Sequence, residues 1–250
     1  MAKGSGLGDR LFVAGYNLSG DVGAVDTVGG GPALLEATGI DKSGMERIPG
    51  LRDGRIEFTS YFNAAVGAAH ERFSALPTAD QIVTYCRGTT LGNPSASCVA
   101  KQIGYDGKRS ADGALTLTVA AQSNAFGVEW GEQLTAGTRT DTTATNGSSY
   151  DYGATIATTN FGLQMYVHLF AFTGTSVTIK VQSSTDDGGG DAFADVTGAT
   201  TGALTTVGAT RVATGTTAAV ERYLRVATTG TFTDAQFSVM VVRNLATPVF

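Results

Sequence analysis

Two histidines, two cysteines and one cluster of carboxylates are the side chains of this 250-residue sequence whose types and spacing invite a chemical reading. His70 and His168 are candidate general bases, because imidazole is the side chain that exchanges protons near neutrality. His70 stands among helix formers and His168 between Val167 and Leu169, far apart and without a nucleophile signature beside either. A Gly-x-Ser-x-Gly elbow and a His-Glu-x-x-His pair are both absent, so nucleophilic and zinc hydrolysis lack their usual arrangements. Asp186, Asp187 and Asp191 flank Gly188-Gly189-Gly190 and could gather oxygen ligands for calcium. Their spacing lacks the alternating Asp or Asn and the closing Glu of an EF-hand loop, and a solvated hairpin tip is the expectation. Catalytic, cofactor-binding and metal-ligating residues are all expected to be none.

Cys86 and Cys98 sit symmetrically about Gly92 and could face each other across a hairpin, although two thiols in a chain of this length fit reduced, buried positions better. Asn146-Gly147-Ser148 is formally a glycosylation sequon, read as chance where no secretory signal precedes it. Gly4-Ser5-Gly6-Leu7-Gly8 precedes a strand instead of opening a helix, so it reads as a flexible arm and not as a phosphate loop. Gly29-Gly30-Gly31-Pro32, with no following Lys-Ser or Lys-Thr, reads as a turn or hinge. Trp130, Tyr85, Tyr105 and Tyr166 suggest a sugar platform on paper, but scattered aromatics in β proteins are more often core.

The elements that would position these residues are strands. Arg55 to Phe62 alternates, with Ile56, Phe58 and Phe62 on one face, and Ala114 to Ala120 sets Leu115, Leu117 and Val119 inward. Further strands are expected at 11–16, 34–38, 81–87 and 96–105, and one helix over 66–75, ended by Pro77. Downstream, Ser176 to Gln182 and Glu221 to Val226 alternate sharply, while 161–172 and 235–242 are apolar on both faces, as central strands are. Strands at 193–197, 203–207 and 210–214 complete an antiparallel, jelly-roll-like sandwich. Between the halves, 136–150 (AGTRTDTTATNGSSY) has no apolar periodicity and reads as a linker, giving domains 1–135 and 151–250.

Composition agrees with a mainly β chain: 16% charged residues, 34 glycines, and Thr and Ser crowding the second half. No run of 18 apolar residues exists to span a membrane, and a reducing cytoplasm is the expected folding compartment. The formal net charge is −5, and Lys108-Arg109 is the one adjacent basic pair, which excludes tight nucleic-acid binding. Mildly acidic walls still let DNA slide past without sticking.

Leu11-Phe12-Val13, Asn17-Leu18-Ser19-Gly20-Asp21, Gly50-Leu51-Arg52-Asp53-Gly54 and Glu129-Trp130-Gly131-Glu132-Gln133-Leu134 resemble the major tail (tail tube) proteins of long-tailed, siphovirus-like phages, particularly of actinobacterial hosts. The resemblance implies a tail-tube-type β-sandwich or barrel with one short helix over 1–135, and a non-enzymatic virion protein made in the host cytoplasm. It implies hexameric rings stacked into a tube, contact with other tail proteins, and a lumen through which DNA passes without specific binding. The jelly-roll-like 151–250 then departs from a minimal tube subunit and reads as an outward decoration. Alternatives of other kinds are a capsid decoration or tail-tip protein, and a carbohydrate-binding module in the second half. Arms such as 1–8 and 22–32 are expected to order on a neighbouring ring.

Overall fold

The computed structural model describes residues 5–76 and 78–247. The first four residues of the expected arm and the helix-ending Pro77 lie outside the described residues. In chain order the strands are β1 (Arg10–Val13), β2 (Tyr16–Asn17), β3 (Val22–Glu36), β4 (Arg47–Tyr61), β5 (Gln81–Cys86), β6 (Pro94–Arg109), β7 (Leu115–Ser123), β8 (Glu129–Gln133), β9 (Arg139–Asp141), β10 (Asn146–Asp151), β11 (Leu163–Ser184), β12 (Ala194–Thr200), β13 (Gly208–Ala213) and β14 (Tyr223–Arg243). One short helix, α1 (Ala69–Phe73), follows β4. The fold is mainly β and antiparallel, as the composition and alternation predict.

Contacts divide the chain into two compact units: one of residues 1–20, 82–97 and 130–250, the other of residues 21–81 and 98–129. This is a different partition from 1–135 and 151–250. Residues 136–150, read above as a linker, carry β9 and the start of β10, both paired to β14. Thr and Ser suit a pleated surface without supplying apolar alternation, so the strands left no period to read.

The larger unit is built on β11 and β14, which pair antiparallel from Leu163↔Arg243 to Ser184↔Tyr223. Each was expected as two strands. Register shifts between Leu169 and Ser176 bend the pair without breaking it, so one long strand pair serves both layers of a sandwich. Leu163, Met165, Val167 and Leu169 from one half meet Val177, Ile179 and Val181 from the other in a single core with Leu224, Val226, Phe237, Val239 and Val241. The opposite face of β11 is also buried: Phe12 of β1 packs on Phe170, with ring centroids 5.0 Å apart, and on His168 at 5.8 Å. Leu204 makes an isolated bridge with Val177 where a strand over 203–207 was expected.

The smaller unit holds a four-stranded antiparallel sheet in the order β3-β4-β7-β6, the last contributing residues from Cys98 on. Ile56, Phe58, Leu117, Val119 and Ala121 point to one face and are buried. That face is covered by α1: Phe73 meets Phe58 at 5.5 Å and Tyr105 at 6.2 Å between ring centroids. The helix is shorter than the ten residues expected, and its start is fixed from outside, by Asp21 accepting the N–H of Ala69 (3.0 Å) and the side-chain amide of Asn63 (2.8 Å). Phe62 and Leu115, expected inward, sit at the rim and stay 44% and 38% exposed.

Candidate functional site

His168 is fully buried in the larger unit. Its Nε2 lies 2.9 Å from Thr84 Oγ1, which is itself 2.9 Å from Ser97 Oγ, and its Nδ1 accepts the N–H of Gly15 at 3.3 Å. Accepting at Nδ1 places the proton on Nε2, so the ring is neutral and donates to Thr84. Burial holds its pKa down at about 3. An imidazole that water cannot reach, with hydroxyl and amide partners on both nitrogens, is a satisfied core group and no base for an external substrate. His70 belongs to the smaller unit, where Nδ1 lies 2.8 Å from the Tyr105 hydroxyl and the ring lies tilted against Phe62, with centroids 4.6 Å apart.

Cys86 and Cys98 are both free and buried, and burial pushes the Cys98 thiol up to about 12 and Cys86 upward as well. The pairing open in the sequence is not made, for a reason of register. Arg87 N–H bonds Pro94 O and Thr84 meets Ser97, which sets Cys86 opposite Ser95, three residues short of Cys98. Thiols so protonated are poor nucleophiles.

The carboxylates of the 186–191 loop are turned on the loop's own donors. Asp186 accepts the N–H groups of Gly189 (3.0 Å), Gly190 (2.5 Å) and Asp191 (3.1 Å), which hold it below the usual carboxylate range, and Asp191 accepts Thr185 N–H at 2.8 Å. Asp187 takes the Ser149 hydroxyl at 2.5 Å. No group of three potential metal ligands is found among the described residues. Tyr85 donates to Asp9, which also receives Gly88 N–H at 3.0 Å and so ties the chain's opening segment down within its own unit. Tyr166 is buried and Trp130 is 51% exposed. A cavity of about 420 Å³ runs along Leu91, Leu134 and the 135–148 segment, with the sequon residue Asn146 in its wall. Its charged wall residue, Arg139, is committed to Asp141 through two hydrogen bonds of 2.8 and 2.7 Å.

The β3-β4-β7-β6 sheet of the smaller unit has a second face, opposite α1. Its uncovered face carries Thr27, Thr59, Thr116 and Thr118, with Arg55, Lys101 and Lys108 set against Asp26, Glu57 and Asp106, a balance of charge within one face. Both outer edges have a strand partner on one side: β3 pairs with β4, and residues 101–109 of β6 pair with β7. Beyond the reach of β7, β3 and β4 continue as a two-stranded ribbon through Gly30↔Gly54 to Glu36↔Arg47. That ribbon bears exposed Leu34, Leu35, Ile48 and Leu51, the last 88% exposed, and Ile40 and Met45 follow in its loop.

Sequence reading missed β3, taking 22–32 as an arm and Gly29 to Pro32 as a hinge. Two register shifts, at Val22/Ala24 and Val25/Thr27, place Val22, Val25 and Val28 three apart although they face alike, which erases the period of two. The glycines serve the pairing itself: a Cβ on Gly30 (φ +150°) would stand 2.2 Å from Gly54 Cα.

No family model matches the chain, and no curated protein matches its sequence. Among solved structures it is similar to the Dit protein (gp 19.1) of phage SPP1, described as a paradigm of hub adsorption apparatus in phages infecting Gram-positive hosts. That likeness has a TM-score of 0.35 and 13% identity, over 95% of this chain and 99% of that one. Chains of the phage p2 baseplate in its activated conformation, with strontium and with calcium, are similar at TM-scores of 0.30 and 0.31 and 8% identity, each over 94% of this chain and 98% of the other. At such identities likeness says nothing of function, which rests on the molecule's own surfaces.

Proposed function

We propose that this chain is a structural protein of a phage virion, a tail tube subunit that self-assembles into stacked rings around a DNA conduit, and that it is not an enzyme. The observation that carries the reading is the β3-β4-β7-β6 sheet, with one face packed on α1 and, among the described residues, no second strand partner for β3 or for residues 101–109 of β6. Exposed edges are a liability in a monomer, and a ring removes them by pairing each with a neighbour. The bare face suits a conduit: short hydroxyl side chains and balanced charge give DNA neither a basic groove to grip nor an apolar patch to wet. Six copies per ring, with residues 151–250 as outward decoration, follow from the resemblance to tail tube proteins.

Negative-stain microscopy of the purified chain at rising concentration tests this. Rings or short tubes are expected, and a strictly monomeric species under every condition overturns the reading. Copy number separates a tube subunit from a capsid decoration or tail-tip component, since the tube protein is among the most abundant in the particle. Glycan binding by the second half would favour the carbohydrate-binding alternative.

A further inference from the structure

We propose that Asn146 is a site of spontaneous covalent modification, converting in the folded chain to aspartate and isoaspartate through a cyclic imide with Gly147. The step needs water and no cofactor. The Gly147 nitrogen attacks Asn146 Cγ and a C–N bond forms, while the side-chain amide nitrogen leaves as ammonia, taking up the Gly147 proton. Water then opens the ring at either carbonyl. Opening at Cγ gives aspartate, and opening at the backbone carbonyl gives isoaspartate, which adds one methylene to the main chain. The conversion is one-way, so its extent records the time since the chain folded.

The neighbour is the first argument. Of the seven asparagines, Asn146 alone precedes glycine, so no side chain at 147 shields the attacking nitrogen. Asn93 precedes Pro94, which has no N–H to lose, and Asn160 precedes Phe161, whose bulk covers its nitrogen. Packing explains the glycine: a Cβ on Gly147 would run into Arg139 Nη1. Arg139 excludes a side chain there, and its charge is balanced by Asp141.

The amide itself is the second. Asn17, Asn63, Asn93, Asn124 and Asn244 hold their side-chain amides in hydrogen bonds, to Ser19, Asp21, Arg87 O, Asp80 and Phe161 O. Asn146 is exposed, and among the described residues its side chain makes no hydrogen bond. It stands in the wall of the 420 Å³ cavity, with room to turn and with water at hand.

The third is the backbone. β10 pairs with β14 at Asn146↔Ala227 and next at Ser149↔Arg225, so Gly147 and Ser148 together face Val226. Such a bulge leaves the regular ladder, and the main chain there is free to bring Cγ onto the following nitrogen. An added methylene at 146 falls between the two pairings, so isoaspartate is expected to loosen β10 from β14.

The intact chain is aged at mildly alkaline pH, where the attacking nitrogen loses its proton more readily, beside a synthetic peptide of residues 143–150. Mass spectrometry with site-resolving fragmentation follows both. The mass rise of an amide turned to an acid is expected at Asn146, at a rate within about tenfold of the peptide's, because the bulge is little protected by the fold. Asn146→Gln, whose ring would be one atom larger, is expected to abolish it with unchanged circular dichroism. A folded rate more than about tenfold below the peptide's, earlier conversion at another asparagine, or a mass rise that persists in Asn146→Gln overturns the proposal. Aged chains, separated from fresh ones by their extra negative charge, are expected to exchange the amide hydrogens of residues 146–151 faster. Equal exchange overturns the loosening of β10.

Discussion

His168 shows at the scale of one residue how a group that could do chemistry is turned to structure. Above pH 6.5 it is neutral folded and unfolded alike. As pH falls from about 6.5 towards about 3, the unfolded chain takes up a proton that the buried ring refuses, so stability falls with falling pH by about 1.4 kcal/mol per unit. The expected measurement is a urea midpoint that drops between pH 6 and 4 in the native chain and drops less in His168→Gln. Equal slopes would show that the ring is not held neutral. A second residue-scale prediction concerns Gly30. Gly30→Ala drives a Cβ into Gly54 and is expected to speed amide exchange through β3 and the facing half of β4, costing about 1–3 kcal/mol locally. Unchanged protection there would count against the close approach of the two backbones.

Elements account for what could and could not be read in advance. Strands with one buried face were legible wherever the pleat kept its period: Val177, Ile179 and Val181 are all fully buried, as their alternation with Thr178 and Lys180 predicts. Where a strand bulges, as β3 does twice, the period is lost with the register. Where strands join through a bend, as in β11 and β14, turn-forming residues such as Gly174 read as ends although hydrogen bonding continues past them. In β9 and β10 the support is polar, Arg139 gripping Asp141 while Asp141 accepts the Thr228 hydroxyl at 2.7 Å, and no hydrophobicity pattern records it. The open edges of the smaller unit's sheet were not legible in the sequence. An unpaired edge is a property of neighbours, and neighbours are not written in spacing. At this scale Phe73→Ala is the informative change, since it removes the aromatic that α1 lays on Phe58 and Tyr105. A loss of about 3–5 kcal/mol is expected in denaturant unfolding of the smaller unit. A loss under about 1 kcal/mol would mean that α1 does not seal that face.

For the whole molecule, a cut at residues 136–150 separates β14 from β8 and β9 and trims β10. A fragment of residues 151–250 is therefore expected to melt well below the intact chain and to bind apolar dyes, whereas one that starts at Trp130 regains those partners. A 151–250 fragment as stable as the whole would show that the second half is autonomous. The central place of β14 also bears on timing. It follows the other described strands in the chain, yet β8, β9, β10 and β11 all pair with it, so the larger unit cannot close until Arg243 has emerged. The β3-β4-β7-β6 sheet, complete by Ser123, has no such wait. A nascent chain thus presents the outer strands of that sheet, β3 and β6, before the larger unit has closed around β14.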